Sequence, residues 1–212
     1  MNVIGVSGVA RSGKDTFCSI AKDILQKNGI GAKQYSFAAA LKTEVEPFLR
    51  DVCKCDVWTT DTEVKTDMRD FLVWYGTTWW RKRDPKRWIR NVDLQLKHDQ
   101  PQIALISDVR YPNEAEWVHS HAGFLVHISA YTLRPSVPTF SLDGDPSMRI
   151  PLVPPNEQER INDPIIKIQS DYCLEWETKG KSPEEANNST VLRQEVLKVL
   201  NSIPFFTGVL SI

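Results

Sequence analysis

The chain has 212 residues, with 26 Lys and Arg against 27 Asp and Glu and a net charge of −1. That length suits one domain with a real core, and the balanced charge leaves no global field to draw the protein to nucleic acid or a membrane. No apolar run approaches the roughly 18 residues of a membrane span, and the first residues lack the charged-then-apolar layout of a signal peptide, so a cytosolic protein is expected.

Val3 to Val6 reads as a buried strand, and Gly8-Val9-Ala10-Arg11-Ser12-Gly13-Lys14-Asp15-Thr16 follows at once. Strand, glycine loop, lysine and helix in that order make a phosphate-binding loop. Glycines let the backbone curl so that successive N–H groups face a phosphate chain, and the helix N-terminus adds positive potential. Lys14 can reach the outer phosphates. Thr16, not the residue directly after the lysine, offers the hydroxyl to phosphate or Mg²⁺, while Asp15 orders water around the metal or simply suits the first turn. This Gly-Lys-x-Thr form occurs in small-molecule kinases.

Phe17, Ile20, Ala21, Ile24 and Leu25 recur at helical spacing, which predicts a helix over 14–27 ended by Asn28-Gly29. A short strand is expected over 33–37, a helix over 38–52, and a loop over the polar residues 53–66. Residues 68–90 predict two helices, one to about Trp80 and one with Asp84 as N-cap and Pro85 at its first position. Further strands are expected at 102–107, 124–128 and 172–176, with a short helix from Asn113 and a last helix from Pro183 to Leu200. The apolar tail from Pro204 is expected to pack on the body and leaves a homodimer open. Four scattered cysteines (Cys18, Cys53, Cys55, Cys173) lack zinc spacing and read as reduced thiols, two of them buried.

Alternating strands and helices imply a parallel sheet with helices on both faces, and such sheets bind ligands at the carboxyl ends of their strands. Asp108 closes the strand 102–107 as a Walker B aspartate does; it serves Mg²⁺ through water or caps the next turn. Phosphoryl transfer between two anions needs fixed positive charge, and the arginine fork grips phosphate bidentately. Arg69 and Arg110 are the stronger candidates and Arg11 lies in the loop itself, with Arg81 and Arg83 beside the predicted pocket. Arg87 and Arg90 are expected on a solvated face. Trp74, Trp79, Trp80 and Trp88 read as core or as a stacking platform for a base, with Phe37 and Tyr75 as alternative platforms.

Four pieces together resemble the deoxynucleoside monophosphate kinases of tailed bacteriophages. They are the loop 8–16, Ser36-Phe37-Ala38, Arg69 with Gly76-Thr77 and Trp88, and above all Ser107-Asp-Val-Arg-Tyr-Pro-Asn-Glu114. The resemblance covers about residues 1–128. It implies an α/β P-loop fold with five parallel strands in the order 2-3-1-4-5. The whole chain would form a single kinase domain, with a helical insertion at about 38–100 that binds the monophosphate and an irregular lid at about 130–170. It further implies transfer of the ATP γ-phosphate to a deoxynucleoside 5′-monophosphate with Mg²⁺. Gly8, Arg11, Ser12, Gly13, Lys14, Asp15 and Thr16 would hold ATP; Phe37, Arg69, Arg81, Trp88 and Arg110 would hold the acceptor. Lys14, Asp108 and Arg110 would be catalytic, and Thr16 and Asp108 would serve the metal. The lid arginine stays open among Arg134, Arg149 and Arg160. Two other readings stand beside this one. A phage kinase could phosphorylate a hydroxymethylated pyrimidine already in DNA, using Trp79-Trp80-Arg81-Lys82-Arg83; a nucleotide-binding accessory protein would not be a kinase at all.

Overall fold

The computed structural model describes residues 1–59, 61–133, 149–178, 185, 187–206 and 210. In chain order the elements are β1 (Asn2–Ser7), α1 (Lys14–Lys27), β2 (Ala32–Tyr35), α2 (Phe37–Asp51), α3 (Thr62–Val73), a π-helical segment (Trp74–Arg81) and α4 (Arg87–Asp99). They continue with β3 (Ile103–Val109), α5 (Pro112–Ser120), β4 (Phe124–Leu133), β5 (Arg149–Pro151), α6 (Glu157–Gln169), β6 (Tyr172–Glu177), α7 (Thr190–Ser202) and a 3₁₀ turn (Pro204–Phe206). The chain divides into two compact units, residues 1–34 with 102–212, and residues 35–101.

The first unit carries the sheet. β1 lies between β3 and β4, parallel to both, β2 neighbours β3, and β6 runs parallel to the far side of β4. Counting only these five, the order is 2-3-1-4-5. One strand was absent from the sequence reading: β5, three residues paired antiparallel to the extended end of β4. β4 itself runs five residues beyond the expected 124–128. β1 and β3 are buried almost throughout, which is why their apolar runs do not alternate. α1 lays Phe17, Ile20, Ile24 and Leu25 against Ile4, Val6 and Leu105 of the sheet. Each such side chain contributes roughly 1.5–3 kcal/mol by leaving water. The tail joins the same core through Phe206 and Leu210.

The second unit is helical. Ser36 caps α2 by accepting from the Ala39 N–H at 3.2 Å. Asp61 caps α3, its Oδ1 accepting from Glu63 at 2.8 Å and Val64 at 3.2 Å. A helix therefore begins at Thr62 inside the stretch expected to be a loop, because a capping aspartate outweighs the polar composition around it. α4 starts at Arg87, with Asp84 and Pro85 in the turn before it. Asp84 instead pairs with Arg90. Of the cysteines, only Cys18 is fully buried, and all four are free thiols. Pro183, the expected start of the last helix, lies outside the described residues.

Candidate active site

The phosphate loop is built by three backbone residues with positive φ. Gly8 has φ +133°, Arg11 +67° and Gly13 +90°. A Cβ on Gly8 would stand 2.5 Å from the Ile128 carbonyl oxygen, and one on Gly13 would stand 2.4 Å from the Trp176 indole. Only glycine fits either place, since both the dihedral and the space exclude a side chain. Trp176, at the end of β6, also donates its indole N–H to the Ser12 carbonyl at 2.6 Å. β6 thus braces the loop.

Within the loop, Lys14 folds inward. Its Nζ donates to the Gly8 and Val9 carbonyls, each at 2.8 Å. Burial, and then the Arg110 charge, lower its pKa from 10.5 to about 8, while Glu159, Asp15 and Asp108 oppose the drop. Arg110, Glu159, Asp15 and Asp108 are the charges that act on Lys14. The Ser12 hydroxyl is buried and has no hydrogen-bond partner among the described residues. A donor left over beside inward-curling backbone suits an anion that the chain itself does not supply.

Asp108 is nearly buried, 9% exposed, and lies within β3 instead of closing it. The pairing of β1 with β3 slips by one residue at this point: Gly5 faces Ile106, yet Ser7 faces Val109. Such a bulge re-aims side chains and bends the strand, and bulges gather beside active sites for that reason. Arg110 follows immediately. Its N–H donates to the Glu114 carboxylate at 2.8 Å, and the Tyr111 N–H donates to the same oxygen at 3.1 Å. Glu114 is fully buried, and Pro112 begins α5. The Asp-Val-Arg-Tyr-Pro-Asn-Glu run is thus a strand-to-helix corner: proline starts the helix, and glutamate satisfies the two N–H groups that the corner leaves over.

Beside the loop opens a cleft of about 770 Å³, lined among others by Arg11, Gly13, Thr16, Leu152, Trp176 and Leu192. Beyond the loop its walls are mixed, with Leu152, Trp176 and Leu192 beside Glu175, Glu177 and Glu195. Thr16 in the first turn of α1, Asp15 beside it and Asp108 would offer oxygen donors only, the chemistry a hard divalent cation such as Mg²⁺ takes; the described residues hold no cluster of three His, Cys, Asp or Glu that could bind a metal.

Sequence reasoning missed Glu159. It is buried on α6, accepting from the Ala10 N–H at 2.8 Å and from Arg110 Nη1 at 2.9 Å. The sequence signals only a helix start at that point, a glutamate three residues after the Asn156 cap; nothing local announces partners some 50 and 150 residues away. Arg149 and Arg160 instead make exposed pairs with Glu175 and Glu157, and Arg134 lies outside the described residues.

The remaining predicted residues belong to the helical unit. Arg69 is exposed and Arg81 half-buried. Phe37 and Trp88 are both 2% exposed, so neither offers a free ring face to a base; Trp88 instead donates its indole N–H to the Gly76 carbonyl at 3.2 Å. The open rings are Trp74 and Trp79, with Arg83 stacked on Trp79 at 3.7 Å. Arg87 is not on a solvated face: it stacks on Trp80 at 3.7 Å and pairs with Glu44 at 2.8 Å.

A mostly parallel sheet in the order 2-3-1-4-5, with a glycine loop between its central strand and first helix, defines an α/β fold of the phosphate-loop kind. Among solved structures, the chain is similar to a shikimate kinase from Acinetobacter baumannii in complex with shikimate, at 15% identity over 98% of this chain and 95% of that one, with a TM-score of 0.47. It is also similar to a dephospho-CoA kinase from Campylobacter jejuni, at 13% identity over 95% and 96% of the two chains and a TM-score of 0.41. The APS kinase CysC of Mycobacterium tuberculosis, as a Cys556Ala mutant, matches at 16% identity over 95% and 97%, with a TM-score of 0.37. No protein-family model and no curated protein matches the chain.

Proposed function

We propose that this protein transfers the γ-phosphate of ATP to a deoxynucleoside 5′-monophosphate. The observation that supports the reading is that Arg110, at the corner resembling that of the phage-type kinases, bonds Glu159, which also accepts from the Ala10 N–H of the Lys14 loop. A terminal oxygen of the acceptor phosphate attacks the γ-phosphorus, and the bond to the β–γ bridging oxygen breaks as ADP leaves. The acceptor oxygen is already anionic, so no general base is required, and catalysis reduces to positioning and charge. Lys14 and the loop N–H groups hold the ATP phosphates, and Arg110 holds the acceptor phosphate in line. Arg69, on α3, and Arg81, in the π-helical segment that Trp88 bonds at the Gly76 carbonyl, are the helical unit's candidates for the acceptor. Mg²⁺, carried by Thr16 and Asp108, would offset charge building on the phosphates.

A second reading keeps the chemistry and changes the acceptor to a modified pyrimidine in DNA. The exposed Trp74 and Trp79 with the Arg83 stack favour it, since bases stack on such surfaces. The deciding experiment offers ATP and Mg²⁺ with each deoxynucleoside monophosphate and, separately, with hydroxymethylated duplex DNA, using Lys14→Ala as the control. The expected result is turnover on at least one free monophosphate and a loss of roughly 10²-fold in folded Lys14→Ala, because a preorganised positive donor is gone. Full activity in that variant, or no turnover with any acceptor, would sink the kinase reading.

A further inference from the structure

Glu159 places a carboxylate in the phosphate loop. Its Oε2 accepts from the Ala10 N–H at 2.8 Å, and its Oε1 accepts from Arg110 at 2.9 Å, with Asn156 Nδ2 at 3.5 Å. The side chain is 9% exposed, against 43% for Arg110. Asn156 fixes the first turn of α6 beneath it, accepting from the Glu159 N–H at 2.9 Å. A carboxylate this dry persists only while it is paired and hydrogen-bonded. Here its partners are a backbone donor of the phosphate loop and the arginine read as the acceptor's grip. Lys14, meanwhile, is turned onto the loop's own carbonyls. Without nucleotide, the Ala10 N–H and Arg110 are therefore satisfied by an anion the chain itself supplies, and Lys14 by neutral carbonyls, while the Ser12 hydroxyl is left over.

A phosphate chain entering the loop requires those same donors. One N–H cannot serve two oxyanions fully, and a second anion beside a buried carboxylate is repelled strongly in so dry a place. We propose that Glu159 is the resident counter-anion of the empty loop, so that entry of a polyphosphate expels its carboxylate and releases Arg110 for the acceptor. The two events are one exchange, which puts the polyphosphate first and the acceptor second. The part concerning the acceptor rests on the function proposed above; the part concerning the loop does not.

A brace and a competitor predict opposite signs. Binding of Mg²⁺–tripolyphosphate is measured by calorimetry on the full chain, in the wild type and in Glu159→Gln and Glu159→Asp, with each fold checked by thermal melting. Gln removes the charge; Asp keeps it and falls short of the two partners. Both variants are expected to bind tripolyphosphate more tightly, Glu159→Gln by about tenfold or more, the lower end of the scale of one charge-assisted hydrogen bond no longer contested. Unchanged or weaker binding in a folded variant overturns the proposal and makes Glu159 a support of the loop. The four deoxynucleoside monophosphates, each titrated alone, are expected to bind Glu159→Gln more tightly than the wild type because Arg110 is free. If the monophosphates bind both forms equally, the release of Arg110 is refuted. If none binds either form, the kinase reading fails, and the tripolyphosphate result still decides the role of Glu159.

Discussion

Lys14 gives the sharpest test of the site, because its two thermodynamic effects run in opposite directions. Burial and Arg110 hold its pKa at about 8 in the empty loop, against 10.5 for a free lysine. Phosphate oxygens would replace the two carbonyl partners and draw the pKa back up, so the bound state keeps the proton. Raising the pH from about 7 to about 9 then takes the protonated fraction of the empty loop from roughly nine-tenths to a tenth, and the Kd for Mg²⁺–ATP should weaken about tenfold. Stability of the empty protein moves the other way. Between about 8 and 10.5 the unfolded chain holds the proton and the native loop has lost it, so native stability rises with pH. The full shift corresponds to an order of 3 kcal/mol. Calorimetry with a non-hydrolysable ATP analogue and chemical denaturation, on wild type and Lys14→Met, read the two effects. Lys14→Met should bind weakly, with no slope across the window, and should lack the wild type's alkaline gain in stability. A flat affinity profile in the wild type, or the same slope in Lys14→Met, would refute the reasoning.

Gly13→Ala places a methyl group 2.4 Å from the Trp176 ring at a φ of +90°; ATP affinity should fall at least tenfold and the melting temperature should drop, and a variant that binds ATP normally would deny the brace its role. Asp108→Asn keeps the shape of the bulged strand and removes its charge, so a magnesium titration of the rate should shift to higher concentration along with a lower kcat; an unchanged titration would reduce Asp108 to a structural residue. Arg110→Lys keeps charge and loses the fork. It should raise the acceptor KM severalfold, while calorimetry against ATP changes little. If every acceptor KM and kcat stays as it was, the acceptor phosphate is held elsewhere.

What the sequence disclosed, and what it hid, follows the range of the forces involved. The loop and α1 were legible to the residue because their causes are local: glycines where φ is positive, then apolar residues at helical spacing. β1, β3 and the first half of β4 were legible as apolar runs, buried in the fold. Asp61 was overlooked because polar composition resembles a loop until one asks which side chain could cap the residues after it. Trp88 and Trp79 have the same chemistry within one segment, yet one is buried and the other open; periodicity cannot separate them where eight residues wind as a π-helix. Arg87 reads as a surface charge until the structure supplies Glu44 and Trp80. Glu159 was hidden most completely, since its meaning lies in partners that only the folded sheet brings near.

The tie between Trp176 and Ser12 joins residues 164 positions apart, and that separation bears on how the protein comes into being. A ribosome delivers the loop 149 residues before its counter-anion and 164 before its brace. At roughly 5–20 residues per second, the loop waits on the order of ten seconds or more for the strand that supports it. During that interval the nascent chain carries the whole phosphate-binding sequence without the scaffold that shapes it. The shape of the loop is therefore completed only when β6 docks along β4. A fragment ending before Trp176 would keep the motif and lack the brace.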